Sequence, residues 1–168
     1  MSEILFRDRV REDDRQSVRE IVTSTAFFSE VEVDVAEELV AERLVKGEES
    51  GYFFVFAESR QGQVLGYACY GPTPCTASTF DLYWVAVRES MRGQGLGKML
   101  LREVEDRLEG MGGGKLIAET SSREQYAPTH RFYLACGFEQ EARIGDYYAP
   151  GEDILYFTKK TGRGQARD

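Results

Sequence analysis

Arg92-Gly93-Gln94-Gly95-Leu96-Gly97 stands between two runs of opposite periodicity. Before it, Phe80 to Val87 is apolar at most positions and reads as a strand. After it, Leu96 to Met111 carries Leu100, Val104 and Leu108 on one face of a helix, with charges elsewhere. The first N–H groups of a helix have no partner inside it and carry partial positive charge. A strand that delivers the chain to such a helix start makes a site for a phosphate or another anion. Glycines there let the backbone approach the anion closely, because no Cβ stands in the way. The plain alternative is a turn that only punctuates the chain.

Two phosphate motifs fail on this stretch. The dinucleotide fingerprint Gly-x-Gly-x-x-Gly needs glycine at its sixth position, but the two frames give Lys98 and Leu100 there. The ATP-binding P-loop needs glycine five residues before Gly97-Lys98 and Ser or Thr after it; the chain has Arg92 and Met99. What remains is Arg-x-x-Gly-x-Gly following an apolar strand. This resembles the acetyl-coenzyme A loop of the GNAT superfamily of N-acetyltransferases. A second stretch, Arg131-Phe132-Tyr133-Leu134-Ala135-Cys136-Gly137-Phe138, carries Phe-Tyr-x-x-x-Gly-Phe and is similar to the family's later helix and the strand after it. The resemblance spans Ile4 to Lys160. It implies a single α/β domain over residues 1–160, with a mixed, mostly antiparallel sheet of six to seven strands flanked by about four helices. Residues 161–168, polar and glycine-containing, read as a flexible tail.

Working outward, Ile4 to Arg9 reads as a first strand. A helix is expected from Asp13 or Asp14 to Phe27, and a second from Val33 to Lys46, stopped by Gly47. Phe27-Phe28 between them is core or a wall of the acceptor pocket. Tyr52 to Ala57 and Val64 to Tyr70 form a hairpin across Arg60-Gln61-Gly62-Gln63. Leu116 to Ala118, a helix from Pro128 to Ala135, and strands Phe138 to Ala142 and Ile154 to Lys159 complete the chain. Gly145 to Gly151 between the last two reads as a loop, and His130 and Arg131 as an exposed helix face.

Composition narrows the partners. Of 168 residues 42% are apolar, which suits one substantial core rather than a disordered chain. No apolar run approaches the roughly 20 residues of a membrane span, and the N-terminus has no signal-peptide layout. A cytoplasmic protein without a membrane partner is expected. Twenty-nine acidic residues against 21 basic give a net charge of −8. This disfavours nucleic acid and is compatible with a cationic amine, although solubility alone explains it. A homodimer is compatible with the chain. Cys69, Cys75, Cys136 and the single His130 make no zinc pattern, so no metal is expected.

The resemblance implies transfer of acetyl from acetyl-CoA to a small amine, an amino acid or a protein N-terminus, by direct attack in a ternary complex. Backbone groups of Arg92, Gly93, Gln94, Gly95, Leu96, Gly97 and Lys98, with the Arg92 side chain, would hold the pyrophosphate. Val85, Ala86 and Val87 would pair with the pantetheine arm as a strand does. Tyr133 would protonate the departing thiolate. Some family members carry a catalytic glutamate at the position of Asp81; aspartate is one methylene shorter. Glu119 is a second candidate base and a relayed water a third. The family often has Asn where this chain has Tyr126, and Thr129 could take part of that role. The rival reading is a non-catalytic acyl-CoA-binding regulatory module, which would need the loop and not the acid.

Overall fold

The computed structural model describes residues 3–162. Its elements follow in the order β1 (Ile4–Arg7), α1 (Asp14–Ser24), α2 (Glu30–Lys46), β2 (Phe53–Ser59), β3 (Val64–Pro72), β4 (Thr79–Val87), α3 (Leu96–Gly110), β5 (Lys115–Ser121), α4 (Ala127–Ala135), β6 (Glu139–Ala149) and β7 (Glu152–Lys160). The strands form one seven-stranded sheet in the order β1-β2-β3-β4-β5-β7-β6. β4 and β5 are parallel; β1–β2, β2–β3, β5–β7 and β6–β7 are antiparallel. The mixed, mostly antiparallel sheet and the four helices are those the two motifs imply. Contacts gather into two compact units. One holds the residues up to Gly71 together with Trp84–Val104; the other holds Pro72–Tyr83 and the residues from Glu105 on.

In the first unit, α1 and α2 bury one face each. Val18, Ile21 and Val22 of α1 are fully buried and meet Val33, Ala36 and Val40 of α2 over Phe54, Phe56 and Tyr67 of the sheet. The outer sides of the two helices are stapled by Arg19, which donates to Asp34 at 2.7 Å and Glu37 at 2.9 Å. β1 is tied to α1 by Arg7. Its guanidinium donates to both oxygens of the buried Asp14 at 2.6 and 2.8 Å, and its Nε donates to Glu58 at 2.6 Å. The bidentate geometry and the extra bond from Arg11 N–H to Asp14 at 2.7 Å satisfy a carboxylate that burial alone would penalise.

Both helix boundaries differ from the periodicity. α1 stops at Ser24 rather than Phe27, because the hydroxyls of Ser24 and Thr25 bond back to the carbonyls of Ile21 and Val22 at 2.7 Å and Ala26 turns to a φ of 53°. α2 starts at Glu30, three residues before the expected start at Val33, because Ser29 and Glu32 form a capping box. Ser29 Oγ accepts from Glu32 N–H at 3.3 Å, and the Glu32 carboxylate accepts from Ser29 N–H at 2.7 Å. Ser29→Ala is expected to lower unfolding free energy by about 1 kcal/mol. Urea unfolding should show a lower midpoint at unchanged m-value.

In the second unit the sheet runs from the first half of β4 through β5 and β7 to β6. Asp81 lies beside Ile117, Leu82 beside Ala118, and Glu119 beside Tyr156. Alternate residues along a strand point to opposite faces. Leu82, Leu116, Ala118 and Phe157 therefore share one buried face, covered by α4, whose Tyr133 ring lies 5.6 Å from Phe157 and 5.3 Å from Phe138. Asp81, Tyr83, Ile117, Glu119 and Tyr156 share the other. Lys159 Nζ fastens the end of α4 by donating to Cys136 O at 2.8 Å and pairing with Glu105 of α3 at 2.5 Å.

The expected loop from Gly145 to Gly151 is instead largely strand: β6 continues to Ala149 and turns into β7 through Pro150-Gly151. The turn-forming residues lie within an irregular hairpin, with a register shift between Ile144 and Ala149 and Asp146 at a φ of 54°. Side chains hold it: Gly151 N–H donates to Asp146 at 2.7 Å, Asp146 N–H to Asp153 at 2.9 Å, and Arg143 Nε to Asp153 at 2.5 Å. Of the expected tail, Thr161 is buried, with its N–H on Gly114 O at 3.0 Å; residues 163–168 lie outside the described residues. Among the described residues no helix is long and apolar enough to cross a membrane.

Candidate active site

The glycine-rich stretch lies in the first unit. Arg88 anchors its approach by donating from Nε to Val64 O at 2.6 Å and through its backbone N–H to Leu65 O at 2.8 Å. A single 3-10 turn, Glu89–Met91, follows. Gly93 and Gly95 then adopt φ of 74° and 81°, the left-handed region, and a Cβ on either would meet nothing within 4 Å. Here glycine serves both the turn and the open space above it. The first bond of α3 runs from Met99 N–H to Gly95 O at 3.1 Å. The N–H groups of Leu96, Gly97 and Lys98 thus precede the helical ladder, at the positive end of a fifteen-residue helix. Gln94 bends back to Ser90 O at 2.9 Å and Arg92 pairs with Glu89 at 3.1 Å. In the same unit Val85 and Val87 are half-buried and Ala86 is buried.

Asp81, Glu119 and Tyr133 lie in the second unit, on two sides of its sheet. The β4–β5 ladder runs from Thr79–Lys115 to Leu82–Ala118 and ends there, while β5 goes on to Ser121 and β4 to Val87. Asp81 and Glu119 share a face, and neither accepts a hydrogen bond or pairs with a cation among the described residues. Surrounding atoms, and next the charge of Asp81, raise the Glu119 carboxyl above its usual range. Tyr133 packs against the opposite face and is 6% exposed. Burial, and then Cys136, push its phenol well above the ordinary tyrosine value, so it is a protonated donor throughout the neutral range. One side of this sheet therefore holds groups able to take a proton and the other a group able to give one, and the β4–β5 ladder that separates them ends at Leu82–Ala118, next to both carboxylates.

Three features of this unit are not evident from the sequence motifs. His130 is not a free surface group: its Nε2 lies 2.8 Å from Ser121 O and its ring stacks on Phe157 at 5.6 Å, so it ties α4 to β5. Thr120 is buried with its hydroxyl unpartnered. Tyr148 belongs to the surroundings of Glu119: its phenol is pushed up to about 12 by burial, then by Glu119, Tyr147, Tyr156 and Tyr126. The meeting of these tyrosines with Glu119 depends on β6 extending through the expected loop. Among the described residues no three His, Cys, Asp or Glu side chains gather as a metal-ligand set. Cys69 and Cys136 are buried thiols and Cys75 an exposed one, none of them in a disulfide.

Comparisons with known proteins bear on both units. A GNAT-family protein of Desulfovibrio desulfuricans superposes with a TM-score of 0.92 at 46% identity, covering 94% of this chain and 99% of that one. A Salmonella typhimurium protein solved with its cofactor acetyl-CoA superposes with a TM-score of 0.72 at 22% identity, covering 99% of both chains. An L-methionine sulfoximine/L-methionine sulfone acetyltransferase of Pseudomonas aeruginosa is 29% identical over 139 residues, covering 79% of this chain and 78% of that protein. The sequence profile described as the acetyltransferase (GNAT) family matches residues 15–138, a span that contains both motifs. The chain belongs to this family and is an N-acetyltransferase.

Proposed function

We propose that this enzyme transfers acetyl from acetyl-CoA to a primary amine by direct attack, with Arg92–Lys98 and Val85–Val87 holding the cosubstrate. The observation that carries this reading is the glycine turn at the start of α3. Its left-handed glycines have open space where side chains would stand, and the three N–H groups that follow precede the helical ladder. Such a cradle fits the pyrophosphate of coenzyme A. Acetyl-CoA supplies the thioester carbon that the amine attacks. The Salmonella relative's cofactor and the Pseudomonas relative's amine-bearing substrate support the same reading.

The residues of the chain divide the proton traffic. An alkyl ammonium has a pKa of about 10.4 and must lose a proton before it can attack. Glu119, with Asp81 beside it, accepts that proton. The nitrogen then bonds to the carbonyl carbon as the carbon–sulfur bond breaks, and Tyr133 gives its proton to the leaving thiolate. Glu119 is taken as the base because burial raises its carboxyl above the usual glutamate range.

Incubation with acetyl-CoA and a panel of amines, amino acids and N-terminal peptides should release free thiol with at least one acceptor. No release above the spontaneous rate across that panel would defeat the reading. With an accepted amine, Glu119→Gln is expected to lower kcat/KM about ten-fold at neutral pH. A base must be ionised, so the parent's rate should fall as pH drops through a pKa above the usual ~4.3 of glutamate. The variant should lack that acid limb, and its deficit should shrink as rising pH deprotonates the amine directly. A variant profile parallel to the parent's at near-parent rate would transfer the role to Asp81 or to a relayed water.

A further inference from the structure

One face of the second unit's sheet has a use that the transfer step alone does not require. On it, β4 supplies Asp81 and Tyr83, β5 supplies Glu119, and β7 supplies Tyr156. β6 brings Tyr147 and Tyr148, whose rings meet edge to face at 4.9 Å, within electrostatic reach of Tyr156 and, for Tyr148, of Glu119. These rings are open to solvent: Tyr147 is 53% exposed, Tyr148 48% and Tyr83 38%. The phenols of Tyr148 and Tyr156 both lie in the field of Glu119, and Tyr156 also feels Asp81.

The distribution of cations on this face is one-sided. The lysines of its strands, Lys115 and Lys160, pair across β5 and β7 at the far end of the ladder, four residues from the Glu119–Tyr156 pair. Four residues of strand span about 13 Å. Lys115 is held there by Glu141 at 2.6 Å. Arg143 of β6 alternates to the other face, where it binds Asp153. Among the described residues the strands around Glu119 thus offer carboxylates and aromatic faces and no cation of their own. Aromatic faces bind ammonium groups through the ring quadrupole, and neighbouring carboxylates add to the attraction.

We propose that the acceptor is a short aliphatic diamine or polyamine: one amine reacts beside Glu119 and Asp81, and the second, still cationic, rests against Tyr147 and Tyr148. This rests on the amine-acetylating reading above and names its substrate class. It differs from the Pseudomonas relative, whose named substrates are amino-acid derivatives bearing a carboxylate.

The test compares 1,4-diaminobutane with butylamine and with L-methionine sulfoximine as acceptors, reading thiol release. The diamine should have a kcat/KM at least about ten-fold above either competitor at low ionic strength, and salt should shrink the margin. Tyr148→Leu should erase the margin over butylamine, whereas Tyr148→Phe, which keeps the ring, should preserve it. A parallel calorimetric titration uses the bis-quaternary ion hexamethonium, which cannot be acetylated, against tetramethylammonium. Hexamethonium should bind at least about ten-fold tighter to the parent, and Tyr148→Leu should abolish the difference. If hexamethonium binds so and no amine is acetylated, the acetyl-transfer reading fails while the dication site stands. Equal use of butylamine and the diamine, preference for the amino acid, or equal binding of the two quaternary ions would each overturn the proposal.

Discussion

Gly95→Asp is expected to abolish the thermal stabilisation that acetyl-CoA should give the parent. A ligand that binds only the native state adds RT ln(1 + [L]/Kd), about 2.7 kcal/mol at a hundred times Kd. In a chain of this size that raises Tm by roughly 5–10 °C. In the variant the shift should vanish. The carboxylate would stand where Gly95 opens onto free space, at the positive end of α3, and would occupy and repel the anion's place. The backbone contributes as well, since a φ of 81° suits side chains poorly, although Asp tolerates it better than most. Gly95→Asn separates the two effects, with similar strain and no charge. It should keep a measurable part of the shift. A full shift in Gly95→Asp would mean that the pyrophosphate is held elsewhere.

Tyr133→Phe is expected to lower kcat by about 100-fold, within the usual range for a positioned acid. The substitution removes one hydroxyl and keeps the ring, so its contacts with Phe138 and Phe157 should survive. The thermal shift with acetyl-CoA should also survive, which distinguishes loss of a proton donor from loss of the site. Because burial keeps the parent phenol protonated, the deficit should be nearly constant across the neutral range. Unchanged turnover, with acetyl transfer shown to be rate-limiting, would reduce Tyr133 to a packing residue.

The fold was legible because its decisive signals are local. The strand, glycine turn and helix around Arg92–Gly97 declare themselves within some thirty residues, and Phe132–Phe138 closes a helix on Gly137 in the same local way. The order of elements along the chain, β-α-α-β-β-β-α-β-α-β-β, is the one the local signals imply. The boundaries that moved were set by side-chain-to-backbone bonds that periodicity does not register: Ser24 and Thr25 ending α1, and the Ser29–Glu32 box starting α2. The Ser29-x-x-Glu32 pattern marks that start in the sequence itself.

The candidate site divides differently. The glycines and Tyr133 could be picked from motif positions, Asp81 from the resemblance and Glu119 from the end of an expected strand. What surrounds the carboxylates could not, because it depends on non-local register. Tyr148 reaches the neighbourhood of Glu119 only through β6 folding onto β7, across a stretch whose composition signals a turn. His130 likewise reads as a surface residue until β5 ends beside it.

β6 has a further consequence, for how these molecules behave in each other's company. It is the last strand of the sheet, and all eleven of its residues are exposed. A straight strand in that position offers its free edge as a template for another molecule's strand. This one cannot be copied along its length. Its spacing against β7 breaks between Ile144 and Ala149, Asp146 turns the backbone left-handed, and Glu139, Glu141, Arg143 and Asp146 put charge along it. The irregularity that hides β6 from sequence reading thus also guards crowded solutions of the protein against strand-by-strand aggregation.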